Sequence, residues 1–362
     1  MRMNNPMSRS GEPIIVDGSA GEGGGQVLRT SLSLSALTGR PLTLSDIRAG
    51  RSRPGLRPQH LTAVRAVAAV CDARLHGDAI GSRELRFTPR SAPRGTKYRF
   101  DVQDFAEHGS AGSVTLVLQA MLWPLLFAAH SSQITLRGGT HVPFSPSFHY
   151  LAHVFRPTVA RFGVDFDVKL EDWGWLPAGE GQISAEIRPL QKLQPVDFER
   201  PALDVVEGVA AVTNLPAHIA QRMANRAANL LREAAVRPAI RPLRERGPGP
   251  GAGIFLWLPQ AGFGQLGRKG YPADKVAEDA VAELMSFMDN EASAVDHHLA
   301  DQLLVPMALA QGQSTFTTHL LSSHTLTNAS LVRQWLDVEV AISGDAGEAG
   351  RVSLRGAGMT RN

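Results

Sequence analysis

The chain has 362 residues, 43% hydrophobic and 20% charged, with a formal net charge of +3. That is enough chain to bury a full core in more than one domain, with the balance of an ordinary globular protein. The single cysteine, Cys71, excludes a disulfide framework or a cysteine metal cluster. No signal-peptide pattern or run of about 18 apolar residues appears, so a cytoplasmic protein without a membrane partner is expected.

Residues 1–12 are polar and are expected to be disordered. A strand-like stretch, Ile14-Ile15-Val16, then runs into Asp17-Gly-Ser-Ala-Gly-Glu-Gly-Gly-Gly-Gln26 and a helix beginning at Val27. Strand, glycine loop and helix together offer backbone N–H groups to a phosphate. The run nevertheless lacks the Gly-Lys-Ser/Thr ending of a P-loop and the spacing of a dinucleotide fingerprint. A plain glycine turn and a phosphate loop both satisfy it.

A local pattern recurs three times. Leucine-rich helical segments at Val27–Thr38, Val114–Ala128 and Leu299–Ala310 each precede a short alternating strand, at Pro41–Leu44, Gln133–Leu136 and Thr315–Thr318. Polar loops follow at Arg48–Gln59, Gly138–Ser147 and His319–Asn328, then second helices near Leu61–Ala73, Phe148–Phe162 and Ala329–Leu336. This rhythm implies an α/β (α+β) fold of repeated units, each too small to stand alone. Leu42 and Ile134 are 92 positions apart, but Ile134 and Phe316 are 182 apart. The excess is one small domain, expected as an inserted α/β module at 188–262. The large domain is then 13–187 plus 263–345, with a C-terminal tail at 346–362.

Charge is unevenly spread. Residues 1–65 hold nine arginines, no lysine and four acids, and acids dominate between Ala277 and Asp301. Arg48, Arg51 and Arg53 beside the glycine loop suit a polyphosphate, because guanidinium forks match phosphate oxygens; a solvated face fits the same counts. Pro146 and Tyr150, four apart at a helix start, make either an apolar sandwich for a flat base or ordinary packing. His324 lies in a Ser/Thr-rich loop between a strand and a helix. A neutral imidazole there is a nucleophile for phosphorus or a structural group. Glu22 and Asp301 are hard-oxygen candidates for a divalent metal. His297 and His298, being adjacent, are expected to point apart.

Taken together, these segments resemble the RNA 3′-terminal phosphate cyclase family. The likeness is carried by Asp17-Gly-x-x-Gly-Glu-Gly-Gly-Gly-Gln26-x-x-Arg29, Ile47-Arg-Ala-Gly-Arg51 and Pro54-Gly-Leu-x-x-Gln59-His-Leu-Thr-Ala63. It continues at Gly109-Ser-Ala-Gly-Ser113 with Gln119, Gly138-Gly-Thr140, Leu299-Ala-Asp-Gln-Leu303 with Pro306, and Ser323-His-Thr-Leu-Thr-Asn328. It spans about 13–340 and is weakest in the insert. The resemblance implies three βαβαββ-like units, with the small domain between the second and third. It also implies an ATP-dependent ligase-type enzyme that turns an RNA 3′-phosphate into a 2′,3′-cyclic phosphate through adenylated histidine and RNA-adenylate intermediates. A ribosome-biogenesis branch keeps the fold without this chemistry and lacks the histidine at the position of His324.

Position by position, the resemblance implies that His324 is the nucleophile. Arg29, Arg48, Arg51, Gln59 and His60 would hold the triphosphate or the RNA phosphate. Glu22 and Asp301 would bind Mg²⁺ or Mn²⁺, and Gln119, Pro146, Tyr150, His298 and Gln302 would surround adenosine. The chain departs from the family in two places: Glu180 replaces a usual glycine, and His298 stands where an aromatic residue is common. An apolar unit edge pairing across a two-fold axis would give a homodimer.

Overall fold

The computed structural model describes residues 12–106 and 109–361, so the expectation of disorder at 1–12 falls almost wholly outside the described residues. The chain begins β1 (Ile14–Asp17), α1 (Gly25–Thr38), β2 (Leu42–Ser45), α2 (Pro58–Cys71), β3 (Arg74–His76) and β4 (Leu85–Thr88). β1 and β2 pair in parallel, and β4 lies antiparallel between β2 and β3, giving the order β1-β2-β4-β3. α1 stops at Gly39, whose φ of 70° ends the helix in the left-handed region. Pro58 opens α2, where a missing N–H costs nothing.

The same order of elements follows in β5 (Lys97–Asp101), α3 (Val114–Leu126), β6 (Ser132–Gly138), a second helical stretch, β7 (Asp165–Asp172) and β8 (Gly181–Arg188). That stretch comprises α4 (Phe148–Tyr150), a π turn (Leu151–Phe155) and α5 (Arg156–Ala160). The sheet order β5-β6-β8-β7 carries the same parallel and antiparallel pairings as the first. β8 alternates buried and half-buried residues along its length, the period-2 signature of a sheet with one face on a core.

A separate layer follows: β9 (Val205–Thr213), α6 (Ala217–Glu233), β10 (Arg237–Glu245), β11 (Gly251–Leu258), β12 (Ala261–Leu266) and α7 (Ala273–Met288), with the sheet ordered β10-β9-β11-β12. It has its own core, including Val206, Met223, Leu231, Ile254, Phe263, Leu284 and Phe287. This core runs well past the boundary at 262 expected from the sequence. The acidic run hides the reason, because α7 is amphipathic. Val276, Ala277, Ala280, Val281, Leu284 and Phe287 face inward, while Asp274 and Glu278 meet Arg222 and Arg226 of α6 at 2.6 and 2.7 Å.

The last segment holds α8 (His297–Gln302), α9 (Leu304–Leu309), β13 (Gln313–Thr318), α10 (Ser323–Trp335), β14 (Glu339–Ser343) and β15 (Gly350–Arg355). Its sheet, β13-β15-β14, is antiparallel, and isolated parallel bridges to β13 from Asp197 to Thr315 and from Val295 to Thr318 stand where the other segments have a first strand. The expected tail at 346–362 is therefore wrong, since β15 is the central strand of this sheet. Val352 and Leu354 are its buried residues, too few for the alternation to stand out between flanking glycines.

α1 and α3 are buried on nearly every side and pack together at the centre. Ser33 of α1 donates to the Ala120 carbonyl of α3 at 2.8 Å, a close approach that a small residue permits. α1 also packs on α10, which packs on α8. These contacts bring three widely separated parts of the sequence to one cleft.

Candidate active site

The cleft begins at the glycine run. Gly21 and Gly23 have φ of 63° and 58°, a backbone that favours glycine. Gly24 and Gly25 are needed for clearance. A Cβ on Gly24 would lie 2.4 Å from both Glu22 carboxylate oxygens, and one on Gly25 would lie 2.6 Å from His60 Nε2 and 2.8 Å from Arg29 Nη1. The run is thus a turn whose bare backbone makes room for a carboxylate, a histidine and an arginine. The first turn of α1 behind it carries no side-chain cap.

His324 sits in the first turn of α10 rather than in a loop, because Ser322 caps the helix by accepting the Thr325 N–H at 3.1 Å. Its Nδ1 lies 2.8 Å from Gln26 Oε1 and 3.7 Å from Glu22 Oε1. Gln26 is 8% exposed, and its side chain also hydrogen-bonds the Asp301 carboxyl. The Gln26 amide oxygen can only accept, so it takes the hydrogen bond from His324 Nδ1–H. The proton of His324 is thereby fixed on Nδ1, and the lone pair of Nε2 is free. Burial, Arg29 and Arg51 lower the His324 pKa, with Glu22 opposing, so the ring is neutral at pH 7.

His60 carries the opposite tautomer. Its Nδ1 accepts the Arg57 N–H at 3.3 Å, which leaves the proton on Nε2 beside Gly25. Burial first, then Arg48, Arg29, Arg57 and Arg51, hold its pKa well below the usual imidazole range. One histidine of the cleft is a neutral donor and the other a neutral acceptor.

Arg29 has its pKa lowered to about 10 by burial, with Asp301 and Glu22 pulling it back up. Arg51 pairs with one Glu22 oxygen, while Glu22 Oε1 is buried without a hydrogen-bond partner. Asp301 is pushed up to about 8 by burial, against the pull of Arg29. Glu22 Oε1, a buried hard oxygen with an unused lone pair, suits a divalent cation completed by phosphate oxygens and water, and Asp301 would join it once ionised.

Arg48 is placed differently from Arg29 and Arg51. Its Nη1 donates to the carbonyls of Arg53 and Gly55 at 2.6 and 3.0 Å, holding its own loop. Gln59 Oε1, in the first turn of α2, accepts the Ser113 N–H at 2.8 Å, tying the start of that helix to 109–113.

On the far side, Gln119 Nε2 of α3 donates to Gln302 Oε1 of α8 at 2.6 Å. Pro146 precedes the Ser147 cap of α4 and accepts the Thr115 hydroxyl at 2.7 Å through its carbonyl. The Tyr150 ring stands edge-on to His298, with centroids 6.4 Å apart. His297 and His298 lie with ring centroids 3.9 Å apart instead of pointing apart, and His297 is also edge-on to His319. At a helix start both side chains fold over the same side.

Two residues escaped the sequence reading. Gln26 was visible as part of a motif but had no role until Asp301 and His324 were brought to it. Asp296 looked like one more acid in an acidic run. It is fully buried and caps α8, accepting the His298 and Leu299 N–H groups at 2.7 Å, the Gly262 N–H at 2.8 Å and the Tyr150 hydroxyl at 3.0 Å. An Asp one position before a helix is a cap signal, and that was the available clue.

Comparison with known proteins agrees with this arrangement. A family model described as RNA 3′-terminal phosphate cyclase matches residues 20–342. The RNA 3′-terminal phosphate cyclase of Nostoc punctiforme is 51% identical over 327 residues, covering 89% of this chain and 94% of that protein. The proteins of the same name from Methylococcus capsulatus and Staphylothermus marinus are 45% and 39% identical, over 91% and 96% of this chain and 94% and 99% of their own lengths. The enolpyruvyl transferase NikO from Streptomyces tendae aligns with 94% of this chain and 48% of its own, at 10% identity and a TM-score of 0.33, too slight a likeness to bear on the fold. With its motifs gathered in one cleft and relatives this similar over nearly their whole length, the chain belongs to the RNA 3′-terminal phosphate cyclase family.

Proposed function

We propose that this protein uses ATP to convert the 3′-phosphate end of an RNA into a 2′,3′-cyclic phosphate, through an adenylated His324. The observation that carries this reading is His324 itself: neutral, held through Nδ1 by Gln26, and facing Glu22, Arg29 and Arg51. His324 Nε2 attacks the α-phosphorus of ATP, an N–P bond forms, and the bond to the bridging oxygen breaks to release pyrophosphate. The imidazole then carries AMP on Nε2, with its Nδ1 proton still donated to Gln26 Oε1. An oxygen of the RNA 3′-phosphate attacks the same phosphorus, the N–P bond breaks, and the electron pair returns to Nε2. The 2′-hydroxyl next attacks the activated 3′-phosphate, loses its proton and expels AMP. Adenylation supplies the leaving group that a phosphate dianion lacks.

Arg29, Arg51 and the His60 N–H face the charge that builds on the phosphates. Arg48 and Gln59 hold the surrounding loops, and Gln26 is a positioning residue that acts through His324. Gln119, Pro146, Tyr150, His298 and Gln302 border the space for adenosine. Glu22 and Asp301 would hold Mg²⁺ or Mn²⁺, which when bound neutralises phosphate charge. The modest net charge fits recognition of an RNA end rather than a long tract. The test is to incubate the protein with ATP, Mg²⁺ or Mn²⁺ and an end-labelled oligoribonucleotide. A 3′-phosphate should become phosphatase-resistant and a 3′-hydroxyl should not react. A 3′-phosphate that stays phosphatase-sensitive would sink the proposal.

A further inference from the structure

Phe144 is 102% exposed, on the loop between β6 and α4. Its φ of 58° is one that a residue with a Cβ rarely adopts. The loop holds it there firmly. At one end His141 is fully buried, donates its N–H to the Gly174 carbonyl at 2.9 Å, and stacks on Trp173 with centroids 4.4 Å apart. At the other end Thr115 donates to the Pro146 carbonyl and Ser147 caps α4, while Ser145 Oγ closes the tip onto the Val142 carbonyl at 3.0 Å. A rigid stem thus displays one bare aromatic ring to solvent.

The place of this ring bears on what it meets. Thr115 lies one turn of α3 before Gln119, whose amide bonds Gln302 beside Asp301, so the loop stands at the rim of the proposed nucleotide cleft. Across it, Gln59 joins the 109–113 loop through Ser113. On the neighbouring loop Leu176 is 59% exposed. Beyond it lies a cleft lined by Arg99, Arg137 and Arg246 together with Asp172 and Glu180. One aromatic ring and one leucine are too little apolar surface for a protein interface. An exposed aromatic ring at the rim of a cleft that takes phosphates is a platform on which an unpaired nucleobase can stack.

We propose that Phe144 stacks on the nucleobase at the 3′ end of the RNA substrate, holding the terminal nucleotide while its phosphate enters the cleft. This rests on the cyclase reading. The ring has no packing to lose, so Phe144→Ala should fold normally, and Phe144→Trp should keep the platform. Binding of 3′-phosphorylated oligoribonucleotides, with a normal or an abasic terminal residue, is measured by fluorescence anisotropy. Formation of the enzyme adenylate from ATP alone is measured in parallel. Phe144→Ala should weaken binding of the base-bearing RNA about 10-fold, Phe144→Trp should restore it, and the abasic RNA should bind all three proteins alike. Adenylate formation should be unchanged. The binding arm is informative even if no adenylate ever forms, which separates failure here from failure of the cyclase reading. Equal binding of base-bearing RNA by wild type and Phe144→Ala, or an equal loss with the abasic RNA, would overturn the proposal. A loss confined to adenylation would assign the ring to the adenine of ATP instead.

Discussion

Gln26 is the position where a small change should expose the chemistry most clearly. Its amide bonds His324 Nδ1 at 2.8 Å on one side and the Asp301 carboxyl on the other. Gln26→Ala removes both bonds and leaves His324 free to rotate and to place its proton on Nε2, where it blocks attack. Two lost hydrogen bonds cost about 1–3 kcal/mol of stability together, which a folded enzyme tolerates. The kinetic cost is larger, because misplacing a reacting atom by about 1 Å costs on the order of 10²-fold in rate. Single-turnover adenylation, followed with ATP labelled at the α-phosphate, should therefore slow by about 100-fold while the ATP concentration for half-saturation barely moves. Gln26→Glu should not rescue it, since a third carboxylate would then face Glu22 and Asp301. Adenylation within about threefold of wild type in Gln26→Ala, or a loss seen only in ATP affinity, would refute the positioning role.

Other outcomes follow from the same geometry. Gly25→Ala should drive a Cβ to 2.6 Å from His60 Nε2 and 2.8 Å from Arg29 Nη1. It should cost about 100-fold in adenylation and lower the thermal midpoint, because the buried His60 ring and Arg29 must shift to admit the Cβ; a wild-type rate would contradict this. Chelating divalent metal should stop adenylation, and Glu22→Gln should raise the Mg²⁺ or Mn²⁺ requirement by about ten-fold or more; an unaltered metal titration would remove Glu22 from the metal site. His149 has its pKa lowered to about 3, by burial first and then by His153 and Arg241. The neutral form is therefore the native one, and its stabilisation is complete above the unfolded pKa of about 6.5 and fades as pH falls from there toward 3. Urea midpoints should fall between pH 7 and 5 by the equivalent of about 2 kcal/mol for this residue, and His149→Gln should show a shallower fall; identical slopes would refute the burial argument.

Much of the architecture was legible because helices and strands announce themselves by period. The alternation in β2 and β6 and the leucine-rich helices α1 and α3 pointed to the order of elements, and their spacing led to the expectation of an inserted module. What stayed hidden depends on partners distant in sequence. β15 carries two inward residues between glycines, and only pairing with β13 and β14 makes it a strand. α7 read as an acidic run because its arginine partners lie some fifty residues earlier on α6. At the site, the motifs named Glu22, Arg29, His60 and His324, yet residue types alone could not assign tautomers. Those come from Gln26 and from the Arg57 N–H, contacts of the folded chain. Arg48 looked equivalent to Arg51 until its guanidinium was found on the carbonyls of its own loop.

The central claim is that His324 takes AMP from ATP. Protein incubated with ATP labelled at the α-phosphate and Mg²⁺ or Mn²⁺ should acquire label that acid releases and alkali does not, on the peptide containing His324. Addition of RNA with a 3′-phosphate should then discharge it as AMP, and His324→Ala should take up none. Absence of label on the wild type, or undiminished label on His324→Ala, would contradict the account.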